Sequence, residues 1–244
     1  MTPYQSLFAR QEIKFLVQQW QYDRLIDCLQ GALQADACGE VTIGNIYYDT
    51  PDFQLIRASL EKPKYKEKLR LRCYNQPSSN SNTFVEIKKK YRGTVYKRRI
   101  AMPYQEAFLE LEKKKVLSPD DSFEHRQISA EISYMMDHYP DLQPAMCVFY
   151  DRLAWQGIRQ PDLRITFDRN LRWRTQDLDL RMGSYGMPIL EPGQRIMEIK
   201  VQQAIPLWLC HALSELEVYK TSFSKYGRGY MDYRRCMEHV TNIA

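Results

Sequence analysis

Two neighbouring stretches of the chain concentrate positive charge: KPKYKEKLRLR from Lys62 to Arg72, and KKKYRGTVYKRR from Lys88 to Arg99. In the first, Lys66, Lys68, Arg70 and Arg72 recur at every second position, with Leu69 and Leu71 interleaved. Alternate residues of a β-strand share a face, so four cations line one side and the leucines take the other. The same alternation sets Glu86, Lys88 and Lys90 against Val85, Ile87 and Lys89, and Lys97 and Arg99 against Tyr96 and Ile100. It recurs in Arg10, Glu12 and Lys14; in Tyr150 and Arg152; in Arg164, Thr166 and Asp168; and in Glu198 and Lys200. Arg offers a planar fork to phosphate oxygens and Lys a compact point charge. The chemistry these residues suit is the holding of a polyvalent phosphate anion.

The elements that must position them read as follows. Gln11–Phe15 is a short strand and Gln21–Leu33 has the i, i+3, i+4 spacing of an amphipathic helix. Val41–Tyr48 is a strand ending at the turn Asp49-Thr50-Pro51, followed by a short helix. Strands are expected at Tyr65–Tyr74, Phe84–Tyr91 and Thr94–Met102, the last two joined at Arg92-Gly93. Tyr104–Val116 and Asp121–Tyr139 read as helices. Ala145–Trp155, Asp162–Asp168 and Arg195–Val201 read as strands, with weaker strand character around Leu178–Met182. A helix from Pro206 to about Val218 and another over Ser224–His239 complete the chain.

A sheet whose charged faces are merely solvated is the ordinary outcome of such alternation. Here the charged faces are mostly cationic, and the opposite faces (Ile13, Phe15; Leu69, Leu71; Ile165, Phe167; Met197, Ile199) suit burial under helices. Helices outside send the charges inward, and a closed barrel leaves no sheet edge. An interior crowded with cations is prohibitively costly unless water and a polyanion fill it. The expected fold is therefore α+β: a closed antiparallel β-barrel of about eight strands with helices on the outside, as a single domain over residues 1–244.

Composition is consistent with this and narrows the alternatives. The 244 residues are 44% hydrophobic and 27% charged, with no apolar run near the roughly 18 residues of a spanning helix. MTPYQSLFARQEIKF lacks the basic and apolar regions of a secretory signal, and the six cysteines form no C-x-x-C pair. Reduced thiols, buried or half-buried, in a cytoplasmic protein are expected. No G-x-x-x-x-G-K-[ST] is present, and no RNA-recognition signature accompanies the basic strands, so no nucleic-acid partner is expected.

The ordered set Arg10-x-Glu12-x-Lys14-Phe15, Ile46-Tyr47-Tyr48-Asp49-Thr50, Lys68-Leu69-Arg70-Leu71-Arg72, Glu86-Ile87-Lys88, Tyr150-x-Arg152, Leu163-Arg164-Ile165-Thr166-x-Asp168, Met197-Glu198-Ile199-Lys200 and Ser222-Phe223-Ser224-Lys225-Tyr226 resembles the triphosphate tunnel superfamily. Within it, the set resembles the polyphosphate polymerase domain of the vacuolar transporter chaperone (VTC) family. Each piece is short; the ordered set, spanning nearly the whole chain, is specific. The resemblance implies an ATP-polyphosphate phosphotransferase that passes the γ-phosphate of ATP to a growing inorganic polyphosphate chain. It implies catalytic roles for Lys14, Arg70, Arg72, Lys88, Arg152 and Arg164. Substrate binding is implied for Arg10, Lys68, Lys97, Arg99, Lys200 and Lys225, with either Lys97 or Arg99 filling the key position of its strand. Glu198 and Glu12 would hold Mn²⁺ or Mg²⁺, and a membrane-protein partner is implied though no insertion by this chain.

Ser222 departs from the pattern, since the family carries a second Lys there; Lys220 lies near enough in sequence to replace it. Hydrolytic tunnel enzymes resemble Glu-x-Glu-x-Lys in the first strand, whereas this chain has Arg10 in the first Glu position. One carboxylate fewer and one cation more favour binding a chain over activating water. A tunnel triphosphatase and a non-catalytic polyphosphate or inositol-phosphate binding module are the alternatives. The four histidines fall on expected helices, away from the chemistry.

Overall fold

In the computed structural model the described residues are 11–92, 94–114 and 122–241. The elements, in chain order, are β1 (Gln11–Val17), α1 (Gln19–Leu29), β2 (Leu33–Ala35), β3 (Val41–Asp49), α2 (Gln54–Leu60), β4 (Tyr65–Tyr74), β5 (Asn82–Tyr91) and β6 (Thr94–Pro103). Then follow α3 (Tyr104–Glu112), α4 (Phe123–His138), β7 (Gln143–Gly157), β8 (Arg164–Arg174), a 3₁₀ turn (Leu180–Met182) and β9 (Met187–Pro188). The last are β10 (Arg195–Val201), α5 (Leu207–Glu215), β11 (Lys220–Thr221) and α6 (Lys225–Thr241).

The chain gathers into two compact units. The first takes the chain up to Val41, Tyr150–Leu171 and Leu190–Phe223. Its strands run in the order β11-β1-β10-β8-β7, with β2 on β7. Phe15, Val17, Ile165, Phe167, Met197, Ile199 and Val201 bury one face of these strands against Leu25 and Leu29 of α1 and Leu209 and Leu213 of α5. The opposite face carries Glu12, Lys14, Glu198, Lys200, Arg164 and Thr166, in matched register.

The second unit takes Thr42–Phe149, Arg172–Ile189 and the chain from Ser224. Its order is β7-β3-β4-β5-β6, with β9 on β8. Leu69, Leu71, Val85, Ile87, Ile100 and Met102 form its core with Tyr104, Ala107 and Leu111 of α3 and Ile128, Ile132 and Met135 of α4. Fully burying such a side chain contributes about 1.5–3 kcal/mol, which is why the alternating leucines choose this face.

The antiparallel α+β architecture agrees with expectation, over eleven strands rather than about eight. Among the described residues neither unit's ladders close into a ring, so the closed form of the expected barrel is not part of the pairing seen here. Leu178–Met182 is not a strand: Leu180–Met182 is a 3₁₀ turn, where the Asp179 side chain accepts the Arg181 backbone N–H at 2.9 Å and closes a local turn instead of entering a ladder. The helix expected to reach Leu33 stops at Leu29, and Leu33 instead opens β2 beside β7. All four histidines lie on helices. Cys73 and Cys147 are buried thiols, and the other four cysteines are exposed.

Candidate phosphate-binding site

Strand register decides which charges meet. In the second unit, Lys68 of β4 stands opposite Lys88 of β5, which stands opposite Lys97 of β6. One step along, Tyr47 of β3, Arg70, Glu86 and Arg99 form the next row, and Asn45, Arg72 and Phe84 the row after it. Glu86 is the only carboxylate on this face of β4–β6, and it is buried at 1% exposure. Arg70 donates to it from Nε at 2.7 Å and approaches from Nη2 at 2.6 Å; Lys97 Nζ lies at 2.8 Å and Arg72 Nε at 3.7 Å.

Burial works against charge on Glu86, but Arg70, Arg72 and Lys97 overcome it and hold its carboxyl at about 2. Burial lowers Lys97 to about 8, with Glu86 opposing and the neighbouring Arg72 and Arg70 assisting. Lys97 and Arg99 are placed differently. Lys97 turns toward Glu86, while the Arg99 guanidinium lies 4.7 Å from the Phe84 ring centre.

Aromatic residues brace this row. Tyr47 and Tyr226 stack with ring centres 4.3 Å apart; Arg70 donates to the Tyr47 hydroxyl at 3.1 Å, and Lys68 sits 5.8 Å from the Tyr226 ring. Tyr226 is set by Asp49, which accepts its hydroxyl at 2.8 Å and the backbone N–H groups of Leu55 and Ile56 at the start of α2. Burial raises the Asp49 carboxyl above its ordinary value, although these donors pull it down. Lys68 Nζ also reaches Ser224 Oγ at 3.2 Å, and Lys225 is half-buried at the start of α6.

The first unit carries the remaining residues. Lys14 Nζ lies 3.3 Å from Glu12 and 4.0 Å from Glu198 and donates to the Phe223 carbonyl at 3.1 Å. Glu198 also meets Lys200 at 2.8 Å. Arg152 is bidentate to buried Asp168, Nε at 2.6 Å and Nη2 at 2.8 Å. Burial opposes its charge, yet Tyr150, Asp168 and Glu198 hold it well above its ordinary value. Arg164 shares a row with Lys200 and Glu12 but is exposed and lies 3.8 Å from Asp36, so it stands at the margin of this cluster. Arg10 lies outside the described residues.

Sequence reasoning assigned no role to Glu86, Asp168, Tyr47, Asn45, Asp49 or Tyr226. For all but Asn45 the signal was present in the motifs that carry the resemblance, and alternation already placed Glu86 and Asp168 beside cations. The suggested replacement of Ser222 by Lys220 fails on register: Lys220 is opposite Phe15 in the β1 ladder and points away from the Lys14 face.

Among the described residues no group of three or more His, Cys, Asp or Glu side chains gathers to hold a metal. The set that converges is Glu12 and Glu198 around Lys14, with the buried Thr166 hydroxyl opposite Glu198 lacking a hydrogen-bond partner. Two carboxylates fit a hard divalent cation of the kind that takes its other ligands from phosphate oxygens and water.

Among relatives, subunit 4 of the vacuolar transporter chaperone complex of Schizosaccharomyces pombe is 27% identical across 78% of this chain and 31% of its own length. The Trypanosoma cruzi subunit 4 is 26% identical across 77% of this chain and 27% of its own. The chain thus spans about a third or less of the curated relatives it matches. A Bacillus halodurans protein described as an adenylate cyclase superposes with a TM-score of 0.51 at 18% identity, covering 87% of this chain and 92% of that one. A Hippeastrum adenylyl cyclase described as having a dominant triphosphatase activity superposes at 0.50 and 16% identity, covering 91% and 95%. These two share the fold alone with this chain. The VTC domain family model matches residues 9–233, and the chain belongs to that family.

Proposed function

We propose that the chain is a polyphosphate polymerase, transferring the γ-phosphate of ATP to inorganic polyphosphate. The observation that carries this reading is the contrast between the two faces of β4–β6. On the helix-covered face, Lys89 and Arg98 share the Glu131 carboxylate of α4 at 3.0 and 2.9 Å. The opposite face presents Lys66, Lys68, Arg70, Arg72, Lys88, Lys90, Lys97 and Arg99, with Glu86 as its one carboxylate. That excess of positive charge suits a chain of phosphates and exceeds what a neutral ligand would repay.

Phosphoryl transfer depends on positioning and charge neutralisation more than on covalent catalysis. Arg70 and Arg72, held by Glu86, Tyr47 and Asn45, would orient phosphate oxygens, and Lys68, Lys88 and Lys97 would offset their charge. Within the second unit Arg99 and Lys225 would act as outer contacts; the first unit has phosphate-binding cations of its own in Lys14, Arg152 and Lys200, with Arg164 at their margin. A terminal phosphate oxygen of the chain forms a bond to the γ-phosphorus as the bond from that phosphorus to its bridging oxygen breaks. ADP departs with the electron pair. The nucleophile is already ionised at neutral pH, so no general base is required. Glu198 and Glu12 would hold Mn²⁺ or Mg²⁺, which when bound supplies charge neutralisation at phosphate oxygens.

A membrane-protein partner, in line with the relatives' naming as subunits of a transporter chaperone complex, and a cytoplasmic placement belong to the same proposal. No described helix is long and apolar enough to cross a membrane.

Incubation of the purified protein with ATP, Mn²⁺ and a short polyphosphate primer, resolved on a gel, tests the reading. Lengthening of the primer with ADP release is expected; free phosphate as sole product would instead make the protein a triphosphatase. Binding without turnover would make it a binding module.

Two further outcomes follow. Glu198→Gln is expected to lower turnover by about a hundredfold and raise the Mn²⁺ concentration needed for half-activity. An unchanged metal dependence would remove Glu198 from the metal role. With Lys97 titrating at about 8, affinity for tripolyphosphate should fall as pH rises from 7 to 9. Lys97→Arg should flatten that limb, since Arg stays protonated throughout; a limb of unchanged steepness would show that another group titrates.

A further inference from the structure

Several exposed cations of this protein have an acidic partner: Arg57 pairs with Asp52, Arg169 with Glu40, Arg164 with Asp36, Arg234 with Glu238, and Arg228 and Arg235 with Asp232. One cluster of neighbouring cations does not. At the Tyr65 end of the β4–β5 hairpin stand Lys62, Lys64, Lys66, Lys90 and Arg92, and none of the five pairs with a carboxylate among the described residues. Lys66 faces Lys90 across the ladder, and its ammonium donates to the Ser59 carbonyl of α2 at 3.1 Å. The Lys64 carbonyl accepts the Arg92 backbone N–H at 2.8 Å, so the two chain segments that carry the patch are pinned together. Arg92 is exposed and lies over the Tyr91 ring at 5.3 Å. Burial first, and then the charges of Lys90 and Lys62, push the Lys66 ammonium below its ordinary value.

This patch is also continuous with the cationic face. Lys66 and Lys90 belong to both, one step along the strands from the Lys68–Lys88–Lys97 row. The face has a polarity: its paired positions toward Tyr65 are Lys66, Lys68, Lys88 and Lys90, and its other end holds Arg70, Arg72 and Arg99 with Glu86. Arg forks fix phosphate geometry, as a reacting triphosphate needs, whereas Lys ammonium groups tolerate many geometries, as a sliding chain needs.

We propose that Lys62, Lys64 and Arg92 form an outer subsite that takes the distal phosphates of a long polyphosphate chain, so that the polymer leaves the cationic face over the β4–β5 end. The inference rests on the polyphosphate reading above and adds a direction and a length preference to it.

The test compares tripolyphosphate with long-chain polyphosphate as ligands of the full chain, by fluorescence anisotropy at several salt concentrations. The triple variant Lys62→Ala, Lys64→Ala, Arg92→Ala is expected to bind tripolyphosphate like the wild type and long chains about tenfold more weakly. Its log-log salt slope for long chains should shrink by about 2, each lost contact on a single-stranded polyanion accounting for about 0.7. A control variant, Arg234→Ala with Arg235→Ala, should change neither ligand. Equal affinity of the triple variant and wild type for long chains would overturn the proposal. So would loss of binding to phosphatidylserine vesicles with polyphosphate binding intact, which would make the patch a membrane contact. If the wild type binds neither phosphate ligand, the polyphosphate reading itself fails and this subsite with it.

Discussion

Arg70→Ala is expected to lower kcat/KM for polyphosphate synthesis by about a thousandfold or more, within the range found for a single arginine at a transferring phosphoryl group. Arg70 is the one cation that combines a fork on Glu86 (2.7 and 2.6 Å) with a hydrogen bond to Tyr47 (3.1 Å), so its position is fixed before any substrate arrives. Arg70→Lys keeps the charge and loses the fork, and should recover only part of the activity. Charge reversal is the poorer probe, because a carboxylate at position 70 would face Glu86 across the ladder. The same reasoning applies to Arg152, whose fork is taken by buried Asp168. Arg98→Ala, on the opposite face and paired with Glu131, should leave synthesis near the wild-type rate. Full activity in Arg70→Ala would detach the Glu86 row from the chemistry.

The second large effect concerns stability. Glu86→Ala removes the buried partner of Arg70, Arg72 and Lys97 and should cost about 3 kcal/mol at pH 7, the usual penalty for leaving buried charge uncompensated. For a chain of this size that lowers the melting temperature by about 10 °C. Tripolyphosphate should restore more stability to this variant than it adds to the wild type, because it supplies the missing negative charge.

The pH dependence has a definite sign. Glu86 has a folded value of about 2 against an ordinary 4.5, so its stabilisation is complete above pH 4.5 and is lost as pH falls through 2. The difference amounts to roughly 3 kcal/mol, at 1.36 kcal/mol for each unit. Denaturation curves from pH 6 to 2 should therefore converge for the wild type and Glu86→Gln as the acid limit is approached. A gap that stays constant across that range would mean Glu86 is not the group responsible.

Much of this was legible in the chain because two-residue alternation is imposed by strand geometry. Lys66 to Arg72 could share a face only as a strand, and Leu69 and Leu71 had to lie under helices. Register is a different matter. Nothing local to Lys97 or Arg99 says which one reaches Glu86: both lie on one face, and although the β5–β6 pairing sets Arg99 opposite Glu86, it is Lys97, one row away, that meets it. Register also excludes Lys220 from the Lys14 face, which proximity in sequence could not do.

The neutralising partners escaped for a related reason. Glu86 and Asp168 were visible on cationic strands, but their burial depends on long-range packing. Alternation reads the face of a residue and not its depth. Tyr226 and Asp49 are 177 positions apart, and only the fold brings them to 2.8 Å. Leu178–Met182 has strand-like composition, but Asp179 closes a turn there before any ladder can form.

The most direct test of the central claim uses ATP labelled in the γ-phosphate, with Mn²⁺ and unlabelled polyphosphate primer. The account predicts one label entering long-chain polyphosphate for each ADP released, with little in free phosphate. Label recovered as free phosphate, with the primer unchanged in length, would contradict it.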